Sequence, residues 1–187
     1  DESSDIRRIL RTTGYTLKEL PGCRTWEEYQ QLGTGELLIS CYPPAKYGAD
    51  ILAERLKRQH LYLPGSFDYG EIKEEIQSLI HALRIEKNVL SDDLEVFFER
   101  EITLCEDTFR HTKTVIGDTP IVLDYLFHPR PLGLAKILLE HEFQVTAVYL
   151  DSISPEEKST FDWLKTYHPG LELRATIQAK MRVLPRN

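Results

Sequence analysis

Apolar residues return at spacings of three and four over 69–83 (Ile72, Ile76, Leu79, Ile80, Leu83), which predicts an amphipathic helix. A longer run from Ser91 or Asp92 to about Ile116 repeats the pattern at Leu94, Phe97, Phe98, Ile102, Cys105 and Phe109 and stops at Gly117. It predicts a long connector helix with Cys105 on its packed stripe. Before these helices, Asp5 is placed to cap a helix through Thr12 that ends at Gly14, and 15–20 reads as a strand. Thr25 caps a short helix over 26–32 with Glu27 and Glu28 in its first turn. The run 36–42, Glu-Leu-Leu-Ile-Ser-Cys-Tyr, is apolar on both faces, as a strand of a covered parallel sheet is. A helix over 45–57 with Ile51, Leu52 and Leu56 on one stripe follows, then a strand over 60–63.

After Gly117 the alternation begins afresh. Strands are predicted over 120–125, 144–149 and 171–177, and helices over 132–141 and 155–167. Strands alternating with helices of ten or more residues predict an α/β fold, three-layer αβα, with Rossmann-like parallel βα units in two blocks joined by the connector helix. The expected blocks are 1–90 and 118–187, with 91–117 between them.

Composition narrows the function classes. Of 187 residues, 41% are hydrophobic and 28% charged, so a packed core is expected. The 30 acidic against 23 basic residues give a net charge of −7, which argues against a broad nucleic-acid-binding face. No stretch has the ~18 to 20 apolar residues of a membrane span, and the acidic start is unlike a targeting signal. Three dispersed cysteines, Cys23, Cys41 and Cys105, fit a reducing compartment, so the cytoplasm is the expected location. The chain has no initiator Met and enters helical pattern at Ile6, which suggests a piece of a longer polypeptide. The ending, with Lys180, Arg182 and Arg186, reads as a small basic tail.

Open parallel sheets bind ligands beyond the carboxyl ends of their strands. The residues at those positions are Cys41 and Tyr42, then Ser66 and Asp68, then His128 and Arg130, then Asp151 and Ser152. Cys41 stands out, because a thiolate between a strand end and a following helix is favoured by the helix dipole and is a nucleophile or soft-metal ligand. The commoner role of such a cysteine is a small buried hydrophobe. Arg130 offers a planar fork for a carboxylate, phosphate or anionic cluster, although a lone loop arginine is commonly a surface ion-pair partner. The histidines form no metal-ligand spacing. Gly33-Thr34-Gly35 is not a dinucleotide fingerprint, and neither a P-loop nor an obvious Ser/His/Asp order is present. No catalytic residue is assigned.

Several segments together resemble component 1 of nitrogenase and its relatives, which include cofactor-assembly scaffolds and the catalytic subunits of dark protochlorophyllide reductase. They are Asp5-Ile6-Arg7-Arg8-Ile9-Leu10 before Gly14-Tyr15, the strand, cysteine loop and Ala49-Asp50-Ile51-Leu52-Ala53-Glu54-Arg55-Leu56 helix within 37–63, Ile121-Val122-Leu123-Asp124-Tyr125, and Arg130-Pro131-Leu132-Gly133-Leu134-Ala135 leading to 145–151. The resemblance implies the later part of one Rossmann-like domain and the first part of the next. It also implies a redox protein that receives electrons from an ATP-dependent iron-sulfur reductase and pairs with a homologous or identical subunit.

Cys41, in Ser40-Cys41-Tyr42, matches the cysteine that binds the family's metal cofactor, and Arg130 matches an arginine lining that cofactor's cavity. Where nitrogenase has glycines ahead of that arginine, this chain has Phe127-His128-Pro129, so an identical cofactor is not implied. An iron-sulfur or related cluster is expected in the full-length protein and none in these residues alone, which are expected to be inactive by themselves. The alternatives are a non-catalytic cluster-assembly scaffold, or an unrelated α/β protein binding a nucleotide or sugar.

Overall fold

The computed structural model describes residues 4–10, 13–85 and 94–175. The chain has an α/β architecture with parallel strands in two small sheets. It divides into two compact units, the first comprising 1–64 and 73–101, the second 65–72 and 102–187.

The first unit opens with α1 (Ser4–Leu10). Asp5 lies within this helix. The strand expected over 15–20 does not form: the segment is unpaired among the described residues and ends in a 3-10 turn, Leu20–Gly22. Its anchor is instead the Tyr15 hydroxyl, which donates to the Leu83 carbonyl at 2.8 Å. Helix α2 (Trp26–Leu32) starts at a capping box, in which the Thr25 side chain accepts from the Glu28 amide and the Glu28 carboxylate accepts from the Thr25 amide. Strand β1 (Leu37–Ser40), helix α3 (Lys46–Leu56) and strand β2 (Gln59–Tyr62) form a βαβ unit, with Leu37 opposite Gln59 and Ser40 opposite Tyr62. Helix α3 closes on Lys57 in the left-handed region, φ 52°. Its buried contact is Ala53, whereas Leu52 and Leu56 are exposed. With two strands in this sheet among the described residues, β1 is half-buried along its length. Leu10, Leu63, Leu79 and Leu83 make the core of this unit.

Helices α4 (Tyr69–Ala82) and α5 (Leu94–Ile116) each contribute to both units. Helix α5 ends at Gly117, whose φ of 56° accommodates the reversal without a Cβ clash. In the second unit, β3 (Ile121–Asp124), α6 (Pro131–Glu140), β4 (Val145–Leu150), α7 (Lys158–Tyr167) and β5 (Glu172–Ala175) alternate, and β4 lies between β3 and β5. Burial follows from that position: Val145, Ala147, Val148 and Leu150 of β4 are all buried. Val145, Val148 and Leu150 pack with Leu123, Leu132, Ala135 and Leu164. Cys105 is exposed on α5 and does not pack in a core. The basic tail and the expected start of the connector helix at Ser91 or Asp92 lie outside the described residues.

Candidate functional site

Cys41 follows directly on the last residue of β1, at the carboxyl edge of the first sheet, and is an exposed residue. A 3-10 turn, Pro43–Ala45, separates it from α3. Two prolines in that turn carry no N–H, and the Ala45 amide is already bonded to the Tyr42 carbonyl at 2.9 Å. The helix N-terminus expected beside the thiol is therefore displaced from it. What remains is an accessible soft donor at a strand end.

The residue before Cys41 has a partner network that sequence spacing did not reveal. Ser40 Oγ lies 2.8 Å from His60 Nε2, and His60 Nδ1 lies 2.6 Å from Asp50 Oδ1. Register explains it: Ser40 is paired with Tyr62 and Leu38 with His60, so Ser40 and His60 share one face of the two-stranded sheet. Asp50 reaches them from α3. Its other oxygen accepts from Lys46 Nζ at 2.9 Å, and these two hydrogen bonds, Lys46 first, hold the Asp50 carboxyl below its ordinary range. The signal in the sequence is a serine, an aspartate and a histidine at intervals of ten, one on each element of a βαβ unit.

Arg130 belongs to the second unit and, contrary to the surface role usual for a loop arginine, is buried at 2% exposure. It stands at the N-cap of α6, just beyond β3. Its guanidinium donates to the Gly65 carbonyl through Nη1 and lies 3.4 Å from Glu71 through Nη2. Within the unit it therefore fastens 65–72 to the start of α6. Ser66 and Asp68 serve the same segment: Ser66 donates to Glu71, and the Asp68 carboxylate accepts from the Gly70 and Glu71 amides. His128 accepts from the Arg130 amide at 3.0 Å. Asp151 and Ser152 are exposed.

Glu157 is a second buried charge that the sequence did not single out. Its Oε1 accepts from the Gly133 amide at 3.0 Å, so a carboxylate occupies the N-terminus of α6, where nucleotide-binding βα units hold phosphate. Burial pushes its carboxyl above the ordinary range, against the opposing pull of the Gly133 amide and the Arg130 charge. Beside these residues lies a cleft of about 210 Å³, lined by Phe67, Arg130, Lys136, Ser159, Thr160 and Trp163 among others.

Away from the cleft, Glu106 on α5 accepts from the Tyr69 hydroxyl at 2.8 Å and faces His141 Nε2 at 3.1 Å, with Phe109 stacked on the imidazole. Hydrogen bonds from His141 and Tyr69 hold the Glu106 carboxyl below its usual 4.5. Burial opposes charge on His141, yet the Ile137 carbonyl and Glu106 outweigh it and raise the imidazole above 6.5. A raised histidine stabilises the fold fully below 6.5 and loses that contribution as pH rises through the higher folded value. A depressed carboxylate contributes above 4.5 and loses it as pH falls. Both contributions are complete between those two values. An NMR titration is expected to place His141 above 6.5 and to show it falling in Glu106→Gln; titration at or below 6.5 in the wild type contradicts the arrangement.

The chain matches no family model and no curated protein. Among the described residues no group of three His, Cys, Asp or Glu side chains is placed to hold a metal ion, and no helix is long and apolar enough to cross a membrane. Cys41 lies in the first unit and Arg130 in the second.

Proposed function

We propose that the chain is part of a nitrogenase-component-1-like redox protein, which takes electrons from an ATP-dependent iron-sulfur reductase and reduces a substrate. The observation that carries this reading is the exposed residue Cys41 at the carboxyl end of a strand in a parallel βαβ unit, the position at which such folds present ligands. Iron-sulfur chemistry would supply the one-electron steps.

The donor set fits one terminal soft ligand and not a complete site, so the remaining ligands must come from other parts of the protein or from a paired subunit. Cys41 would bind and orient. Arg130 would act indirectly, by setting the position of 65–72 and the start of α6 in its own unit. A cluster-holding scaffold would use the same ligand without the substrate. Iron and acid-labile sulfide measured on anaerobically purified full-length protein test the proposal. Both are expected together in whole-number ratio to protein; their absence after reconstitution contradicts it.

The cleft beside Trp163 favours a second reading, an α/β ligand-binding protein. Because Glu157 occupies the N-terminus of α6, the ligand it suits is a neutral sugar, stacked on an indole and hydrogen-bonded by Ser159 and Thr160, and not a phosphate. A rise in Tm with monosaccharides and none with nucleotides would select that reading.

A further inference from the structure

We infer that Ser40, His60 and Asp50 form a nucleophile, general base and orienting carboxylate able to cleave carboxylic esters, an activity separate from any metal chemistry at Cys41. Three observations support it. The first is connectivity. A serine nucleophile needs its oxygen within about 2.6 to 3.2 Å of a base that a third group orients, and the chain provides 2.8 Å from Ser40 Oγ to His60 Nε2 and 2.6 Å from His60 Nδ1 to Asp50 Oδ1.

The second is direction. An ionised carboxylate only accepts hydrogen bonds, so the neutral imidazole that satisfies both contacts carries its proton on Nδ1. Its Nε2 lone pair then faces Ser40, whose hydroxyl donates to it. That is the polarity a general base requires, since the serine proton already points at the atom that must receive it. Lys46 holds the other Asp50 oxygen at 2.9 Å and so keeps Oδ1 turned toward the imidazole.

The third is placement. Ser40 is the last residue of β1, at the sheet edge where open parallel folds place reacting groups. The His60 side chain is 7% exposed, so its two nitrogens are held by these partners and largely shielded from water, while Asp50 is 47% exposed. One βαβ unit supplies all three groups in the order Ser, Asp, His.

In the reaction, Ser40 Oγ bonds to the ester carbonyl carbon as its proton passes to His60 Nε2. The carbon–alkoxide bond breaks and the departing alcohol takes that proton. Water, deprotonated by the same nitrogen, then cleaves the acyl-serine to a carboxylic acid and restores the hydroxyl.

The test is covalent labelling of the full-length protein with a fluorophosphonate, in which Ser40 Oγ displaces fluoride from phosphorus. Peptide mass mapping is expected to find one adduct, on Ser40, absent in Ser40→Ala. His60→Gln is expected to slow labelling at least ~100-fold, the usual contribution of a general base. Asp50→Asn is expected to slow it too. Its half-exposed side chain makes it the variant of choice should His60→Gln fail to fold, and circular dichroism checks that it has folded. No adduct on Ser40 in folded wild-type protein overturns the inference. So does labelling of Asp50→Asn or His60→Gln at the wild-type rate, which is what a network that only braces β1, α3 and β2 would give.

Discussion

Replacing Arg130 with alanine is expected to lower the stability of the second unit by about 3–5 kcal/mol, the usual cost of removing one partner from a buried charge network. The cause is what the substitution leaves behind. Glu157 is fully buried and its ionised form is favoured by the Gly133 amide and by the Arg130 charge, so without the guanidinium its carboxylate loses the positive charge that helps to offset its burial. The Gly65 carbonyl also loses the Nη1 donor, and Glu71 loses the Nη2 donor that it has beside Ser66. A Trp26→Phe background, which removes a tryptophan 64% exposed in the first unit, lets urea unfolding be followed through Trp163 alone. Adding Glu157→Gln to Arg130→Ala is expected to recover part of the loss, because the orphaned charge is then gone. A loss below about 1 kcal/mol in Arg130→Ala, the range of exposed ion pairs, contradicts the role given to this residue.

Leu164→Ala is expected to cost about 2–5 kcal/mol in the same measurement. Leu164 is fully buried on α7 and packs into the core built around β4, where deletion of three carbons leaves a cavity that a parallel sheet enclosed by helices closes poorly. Leu126→Ala provides the contrast. Its side chain is 82% exposed after β3, and its removal is expected to change stability by no more than about 0.5 kcal/mol. Equal losses in the two variants would mean that the core is not where the packing places it.

Local rules account for the parts of the fold that the amino-acid pattern predicts well. The Thr25 cap and the Gly117 stop are decided within a few residues of chain, and both are as expected. The alternation of strands and helices after Gly117 likewise follows hydrophobic spacing alone. Features set by distant partners were not legible. Nothing within 15–20 shows that no strand among the described residues pairs with it, and nothing in α3 shows that Ala53 and not Leu52 or Leu56 meets the core. Cys105 satisfies the helical period, yet it is exposed on α5.

The same distinction runs through the sites. Cys41 was legible because strand-end position is a local property. Arg130 was legible as a residue beyond the end of β3 but not as a buried one, since the Gly65 carbonyl and Glu71 that hold its guanidinium lie far along the chain. The meeting of Ser40 with His60 depends on the parallel register of β1 and β2, in which a shift by one residue would turn the histidine to the opposite face.

The most direct test of the proposed redox role is electron paramagnetic resonance of the anaerobically reduced full-length protein, comparing wild type with Cys41→Ala at matched iron content. The account predicts an iron-sulfur signal in the wild type that is lost or changed in shape when the thiol is removed, because a terminal ligand has been deleted. An identical spectrum from the two proteins would contradict it and remove Cys41 from the metal's coordination.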